Sequence, residues 1–158
     1  MPEVEEVRGG DPGDAVLASA RRKAAAADAP GALVIGCDTE VALDGVALGK
    51  PGDESTAREF LARLTGRSHD VLSGLALIGP QAGRIREGVA RSVVTFASLS
   101  EHDIDRYIAS GEWRERAGGY AIQGLGSTLA ERIEGDVSNV IGLPLALLLE
   151  LCPELSPG

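Results

Sequence analysis

Apolar positions in the first half of the chain follow two rhythms. Between residues 12 and 27, Val16, Leu17, Ala20 and Ala24 recur at helical spacing, which predicts a helix capped by Asp11 or Asp14. Leu33-Val34-Ile35-Gly36-Cys37-Asp38-Thr39 is instead a short apolar run that ends on a carboxylate and a hydroxyl, the pattern of a buried strand. Residues 41–48 alternate around Asp44-Gly45, a hairpin signal, and the second arm delivers Gly49-Lys50-Pro51. Asp53 or Ser55 opens a helix to Leu64, with Ala57, Phe60, Leu61 and Leu64 on one side and Gly66 at its stop.

In the second half, residues 71–78 and 89–96 read as strands joined by a turn at 80–83. Ser100-Glu101-His102-Asp103 approximates a capping box for a helix that buries Ile104, Tyr107 and Ile108 and stops at Gly111. Residues 112–126 are rich in glycine and hold the only tryptophan, Trp113. Within them, 117–124 reads either as a loop over a site, where glycines let backbone approach a ligand, or as a turn with Tyr120 plugging the core. Residues 127–133 predict a strand. Pro144 starts a last helix to about Leu151, apolar nearly all round and therefore buried or at a dimer interface.

Composition narrows this picture. With 158 residues, 44% of them apolar, one globular domain is expected, and aromatics at 3% leave an aliphatic core. A net charge of −9 argues against duplex nucleic acid, which needs a basic face. It leaves a nucleotide open, since that needs only local cations or a metal. Cys37 and Cys152 give no disulfide framework. The longest apolar run, 141–149, is too short to span a bilayer, and the acidic start is no signal peptide, so a cytoplasmic location is expected. Of 15 basic residues only Lys23 and Lys50 are lysines. In a chain that uses Arg as its ordinary cation, either they mark a site wanting a compact ammonium or their rarity is chance.

Two readings of Asp38 stand side by side. At the carboxyl end of a strand it is placed for metal or proton chemistry; alternatively it caps a turn. His102 reads as a surface residue, and His69, without a His or Cys partner at ligand spacing, more as a structural donor than a metal ligand. Gly45 to Lys50 is no P-loop: only three residues separate its glycines, and Pro51 follows the lysine. Carboxylates (Glu5, Glu6, Asp38), two scarce lysines and a glycine loop carrying Gln123 are together the parts of a magnesium-dependent phosphate reaction.

Five segments taken in order are more specific: Gly36-Cys37-Asp38-Thr39, Leu48-Gly49-Lys50-Pro51, Leu64-Thr65-Gly66-Arg67-Ser68-His69, Ala117-Gly118-Gly119-Tyr120-Ala121-Ile122-Gln123-Gly124 and Val140-Ile141-Gly142-Leu143-Pro144. In order and spacing they resemble the Maf family of nucleoside triphosphate pyrophosphatases. The resemblance implies an α/β fold, a mixed sheet in two lobes with a central cleft, similar to the inosine triphosphatase-like fold. It also implies a cytoplasmic hydrolase that cuts between the α and β phosphates, releasing a nucleoside monophosphate and pyrophosphate. Members are often dimeric, so a homodimer stays open. Position by position, the resemblance makes Asp38 the proton acceptor, Glu6 and Asp38 the ligands of a divalent Mg or Mn ion, Lys23 and Lys50 phosphate-binding lysines, and Thr39 and Gln123 determinants of substrate choice. Arg116 stands where a Lys is usual. The Gln123 amide, a donor and an acceptor together, is complementary to the carbonyl and N3–H edge of uracil or thymine, which favours dTTP and UTP.

The chain departs from the family at its start. No Ser-x-Ser-Pro-Arg-Arg loop is present, so the single domain, residues 1–158, is expected to be truncated by one strand and one helix, either by a misassigned start codon or in the gene itself. If truly truncated, the alternative function is a catalytically impaired remnant that binds nucleotide or a partner without turnover. Glu40 takes a position where an apolar side chain is typical, and is expected near the metal or on an exposed strand face.

Overall fold

In the computed structural model, which describes residues 10–27 and 29–157, helix α1 (Pro12–Ala26) begins on a proline and buries Pro12, Val16, Ala20 and Ala24. Proline suits a first helical turn, where its missing N–H has no partner to lose. The buried residues form an almost purely small-side-chain stripe, and it lies against the next element, strand β1 (Val34–Leu43), and against strand β3 (Ser68–Ile78). Gly36 of β1 and Gly74 of β3 are needed there. A Cβ on Gly36 would collide with the Ala20 carbonyl, and one on Gly74 with the Val16 carbonyl. The helix thus rides directly on the sheet backbone, and Lys23, on its exposed flank, reaches the edge of β1.

Strand β1 turns back through Asp44 (φ 53°) and Gly45 (φ 80°) into β2 (Val46–Ala47). Two successive positive φ values are what a two-residue hairpin needs, as Asp-Gly predicts. Helix α2 (Glu54–Leu64) follows, with Asp53 accepting the Thr56 N–H at its N-terminus. Strand β3 pairs over its full length with β4 (Ile85–Phe96). Helix α3 (Glu101–Ser110) opens with the reciprocal Ser100–Asp103 capping box and ends at Gly111 in the left-handed region. Short 3-10 turns at Ala117–Gly119 and Gly124–Thr128 precede β5 (Ala130–Glu134). Helices α4 (Val137–Ile141) and α5 (Leu145–Leu151) complete the order.

The sheet order is β2-β1-β3-β4-β5, and each of these pairs is antiparallel. Helix α1 covers one face. On the other face Val41, Val71, Val94 and Phe96 meet Phe60, Leu61 and Leu64 of α2 and Tyr107 of α3 in the main core, which Trp113 and Tyr120 close. A smaller cluster, Leu75, Leu77, Leu148 and Cys152, lies under α5. This is the expected α/β class, but among the described residues the sheet is wholly antiparallel and not mixed, because each described pairing joins strands running in opposite directions. None of the described helices is long and apolar enough to cross a membrane.

Several element boundaries and one burial pattern differ from the sequence pattern. Strand β1 does not stop at Thr39: Asp38 pairs with Gly74, and the ladder continues through Thr39, Glu40 and Val41 to Ala42. Asp38 is therefore in mid-strand, not at a strand end. The predicted strand start at 127 is delayed to Ala130, because Ser127 and Thr128 donate their hydroxyls to the carbonyls of Gly124 and Leu125, both at 2.7 Å. Such local bonds hold a turn against a ladder. The last helix is not buried all round: Leu145 and Leu149 are exposed.

Candidate active site

Period-two alternation sends Gly36, Asp38 and Glu40 toward the α1 side of the sheet and Cys37, Thr39 and Val41 toward the opposite face. Among the described residues, β2 pairs only with Ala42 and Leu43 at the end of β1, so the earlier part of β1 forms a sheet edge. A cleft of about 200 Å³ opens at that edge. Six of the seven residues singled out from sequence line it: Lys23, Asp38, Thr39, Lys50, Arg116 and Gln123. Glu6, the seventh, lies outside the described residues.

The Lys23 ammonium donates to Asp38 Oδ1 at 2.9 Å and to the Cys37 carbonyl at 3.3 Å. The Asp38 side chain is 27% exposed and that of Lys23 53%, so the pair is open to water and to an incoming phosphate. Lys50 leaves the β1–β2 hairpin into the same cleft, and Arg116 faces it from the glycine-rich loop; both are exposed. Thr39 lines the cleft wall, but its hydroxyl is also engaged within the fold, 2.8 Å from Ser73 Oγ. Gln123 sits exposed on the rim, next to Ala121 and Ile122. The Cys37 thiol donates to the Gly142 carbonyl at 3.2 Å; its pKa is raised, by burial first and by the Asp38 charge second, so it stays a neutral thiol.

The loop opposite Asp38 is held by buried groups from several elements. Tyr120 is buried, as the reading of a core plug expects, and also forms part of the cleft wall. Its hydroxyl shares a 2.5 Å hydrogen bond with His69 Nε2. His69 is 3% exposed. Burial pushes its pKa down to about 4, against a smaller upward pull from Asp70, so the imidazole is neutral at neutral pH. Tyr107 accepts the Ala121 N–H at 2.9 Å. The Glu112 carboxylate accepts the N–H groups of Leu125 and Gly126 at 2.9 and 3.1 Å. Across the cleft floor, fully buried Asn139 donates to the Val71 carbonyl and to Ser92 Oγ, which fixes α4 and the Val140–Gly142 wall. His69 as a structural donor and Tyr107 and Tyr120 as core residues agree with the sequence pattern; the roles of Glu112 and Asn139 carry no signal in it.

Glu40 is not on a bare strand face, and its carboxylate is close enough to Asp38 and Lys50 to feel both charges. It is half-buried, and its Oε1 accepts the N–H groups of Val41 at 3.1 Å and Gly49 at 2.9 Å. Burial raises its pKa, and those two backbone bonds pull it down.

The donor set suits a hard divalent cation in a limited way. Among the described residues no three His, Cys, Asp or Glu side chains gather as a metal cluster. Asp38 nonetheless offers a half-exposed carboxylate with only one oxygen bonded to Lys23. Magnesium is commonly held by one or two protein carboxylates, with substrate phosphates and waters completing its shell, so Asp38 fits a site that the substrate finishes.

Comparison with known proteins identifies relatives of the chain. The family model described as Maf-like protein matches residues 1–155. The dTTP/UTP pyrophosphatase of Deinococcus radiodurans is 47% identical over 135 residues, covering 85% of this chain and 68% of that one. That of Dictyoglomus thermophilum is 43% identical, covering 98% and 82%, and that of Pyrococcus furiosus 40% identical, covering 93% and 77%. An α/β sheet with its scarce lysines and one mid-strand aspartate on a common cleft, matched over almost its full length, belongs to the Maf-like protein family.

Proposed function

We propose that this protein is a nucleoside triphosphate pyrophosphatase that converts dTTP and UTP to the monophosphate and pyrophosphate. The observation that carries the reading is the convergence of Lys23, Asp38, Lys50, Arg116 and Gln123 on one cleft. The names of the relatives from Deinococcus radiodurans and Dictyoglomus thermophilum support the same substrates.

In this reading the triphosphate lies along the β1 edge. Lys23, Lys50 and Arg116 neutralise its oxygens, and preorganised charges of this kind cost no reorganisation during the reaction. Asp38, with Oδ1 held by Lys23, orients a water and takes its proton as the water oxygen attacks phosphorus and the α–β anhydride bond breaks. Asp38, together with Glu6, would hold a Mg or Mn ion, which when bound supplies further charge neutralisation on the phosphates. Gln123 reads the pyrimidine edge with its paired donor and acceptor, and Thr39 shapes the wall beside it. A cytoplasmic location and the absence of a duplex nucleic acid partner belong to the proposal, the latter supported by the −9 charge. A homodimer belongs to it as well, with exposed Leu145 and Leu149 as the apolar surface a second copy would cover.

The test is a pyrophosphate-release assay on the full chain with UTP, dTTP, CTP and GTP in magnesium or manganese. Release of pyrophosphate and monophosphate in equal amounts, fastest from UTP and dTTP, is expected. Nucleotide binding without release would move the reading to the non-catalytic alternative.

A further inference from the structure

Strand β2 is two residues long, so the β1–β2 ladder runs out just where Lys50 begins. Its last bond is the Leu48 N–H to the Val41 carbonyl, 2.9 Å. The next two donors, the N–H groups of Val41 and Gly49, have no strand partner among the described residues, and both turn onto one oxygen of Glu40. The Gly49 carbonyl in turn accepts the Gly118 N–H at 2.8 Å. Gly118 presses against Val41 so closely that a Cβ on it would lie 2.9 Å from that side chain. Gly49 is thus clamped on both sides, by β1 through Glu40 and by the glycine-rich loop through Gly118. Lys50 directly follows Gly49 and Arg116 lies two residues before Gly118, and both line the cleft.

We infer that Glu40 is a positioning residue: its carboxylate fixes Gly49 and thereby sets where the Lys50 ammonium stands relative to the triphosphate. The inference rests on the proposed role of Lys50. A long, exposed lysine has many rotamers, and only its backbone anchor limits where they reach. An apolar side chain at position 40 has no acceptor. It would leave the Val41 and Gly49 donors to water and free the hairpin exit to drift. A glutamine keeps an acceptor oxygen of the same reach, so the role depends on the acceptor and not on the charge.

The experiment is a double-mutant cycle on the full chain, read as kcat/KM for UTP, with thermal unfolding recorded for each variant. Glu40→Val should lower kcat/KM about tenfold, since a misplaced charge costs catalysis steeply, while Glu40→Gln should stay within about threefold of wild type because the acceptor remains. Lys50→Met should cost about a hundredfold, and adding Glu40→Val to it should cost nothing further, because the residue through which Glu40 acts is gone. Losses that multiply in the double variant overturn the inference, as does a Glu40→Gln loss equal to that of Glu40→Val. Should Glu40→Val fail to fold, Glu40→Ser, polar but too short to reach Gly49, takes its place in the cycle. A wild type that releases no pyrophosphate overturns the functional reading and this inference with it; an active wild type with multiplying losses overturns the inference alone.

Discussion

On the α1–β1 wall of the cleft, Lys23 and Asp38 project from regular elements and meet each other at 2.9 Å in the open. On the facing wall, residues 117–128 contain only two 3-10 turns and hang from buried groups: His69 on Tyr120, Tyr107 on Ala121, Glu112 on Leu125 and Gly126. The first wall is held by backbone ladder and by the close seam of Ala20, Ala24, Gly36 and Gly74. Its charged ends are spare to the fold. The second wall has no ladder, so the same hydrogen bonds that stabilise it also place Gln123. Substitutions on the first wall should therefore separate chemistry from stability, and those on the second should couple them.

The largest effect belongs to the first wall. Asp38→Asn keeps the shape and an acceptor for Lys23 but removes the base, and kcat for UTP should fall by about 10²–10³. Its unfolding midpoint should stay within a few degrees of wild type (about 3 °C, the scale of a change under 1 kcal/mol). A comparable loss of stability would show that Asp38 is part of the scaffold and erase the contrast between the walls.

Next is the pH dependence of the second wall. The native His69 pKa is near 4, below the unfolded value of about 6.5. Between those values the unfolded chain binds a proton that the native chain refuses, so stability falls as pH drops through this window and is unaffected above it. The drop amounts to about 3 kcal/mol at pH 4. Urea unfolding of wild type and His69→Gln from pH 7.5 to 4.5 tests this: the wild-type midpoint should decline over that range more steeply than the variant's. Parallel curves would show that the imidazole takes its proton in place.

Gln123→Glu follows in size. A carboxylate offers acceptors only, so it can still take the N3–H but loses the donor that the base carbonyl requires. Turnover of UTP relative to GTP should fall about tenfold, the usual worth of one lost polar match, with the unfolding midpoint unchanged because Gln123 is exposed. An unaltered nucleotide profile would remove Gln123 from recognition.

These contrasts also explain what could be read from the residues alone. Helices α1, α2 and α3 were legible because Val16, Ala20 and Ala24, or Ala57, Phe60, Leu61 and Leu64, repeat at helical spacing and carry capping residues. The cleft residues were legible through lysine scarcity and through ordered resemblance, which no single motif could have given. The start of β4 was hidden because Arg86 and Glu87 interrupt its apolar signal. In the fold Arg86 donates to the Leu151 and Gly79 carbonyls, and Glu87 takes the Arg21 guanidinium. Helix α4 was hidden because its buried face is Asn139, a polar residue whose partners Val71 and Ser92 are far away in sequence. Periodicity records which residues avoid water; it does not record a polar group satisfied by a distant one. The backbone-holding roles of Glu40 and Glu112 escaped for the same reason, since each serves N–H groups that a sequence does not display.

The smallest effect sharpens the comparison most. Tyr107 is fully buried in the main core, its hydroxyl pKa is pushed up to about 12 chiefly by burial, and that neutral hydroxyl accepts the Ala121 N–H two residues before Gln123. Tyr107→Phe keeps the ring and its packing and deletes only the acceptor. Leaving a partly buried donor without its partner costs about 1–2 kcal/mol, so the urea midpoint should fall modestly. Because the loop loses one of its anchors, KM for UTP should rise about threefold while kcat, set on the Asp38 wall, stays the same. That split is the reverse of the one expected for Asp38→Asn. If kcat fell along with stability, the two walls would be mechanically one unit, and the loop's anchors would have to be counted as part of the phosphate chemistry.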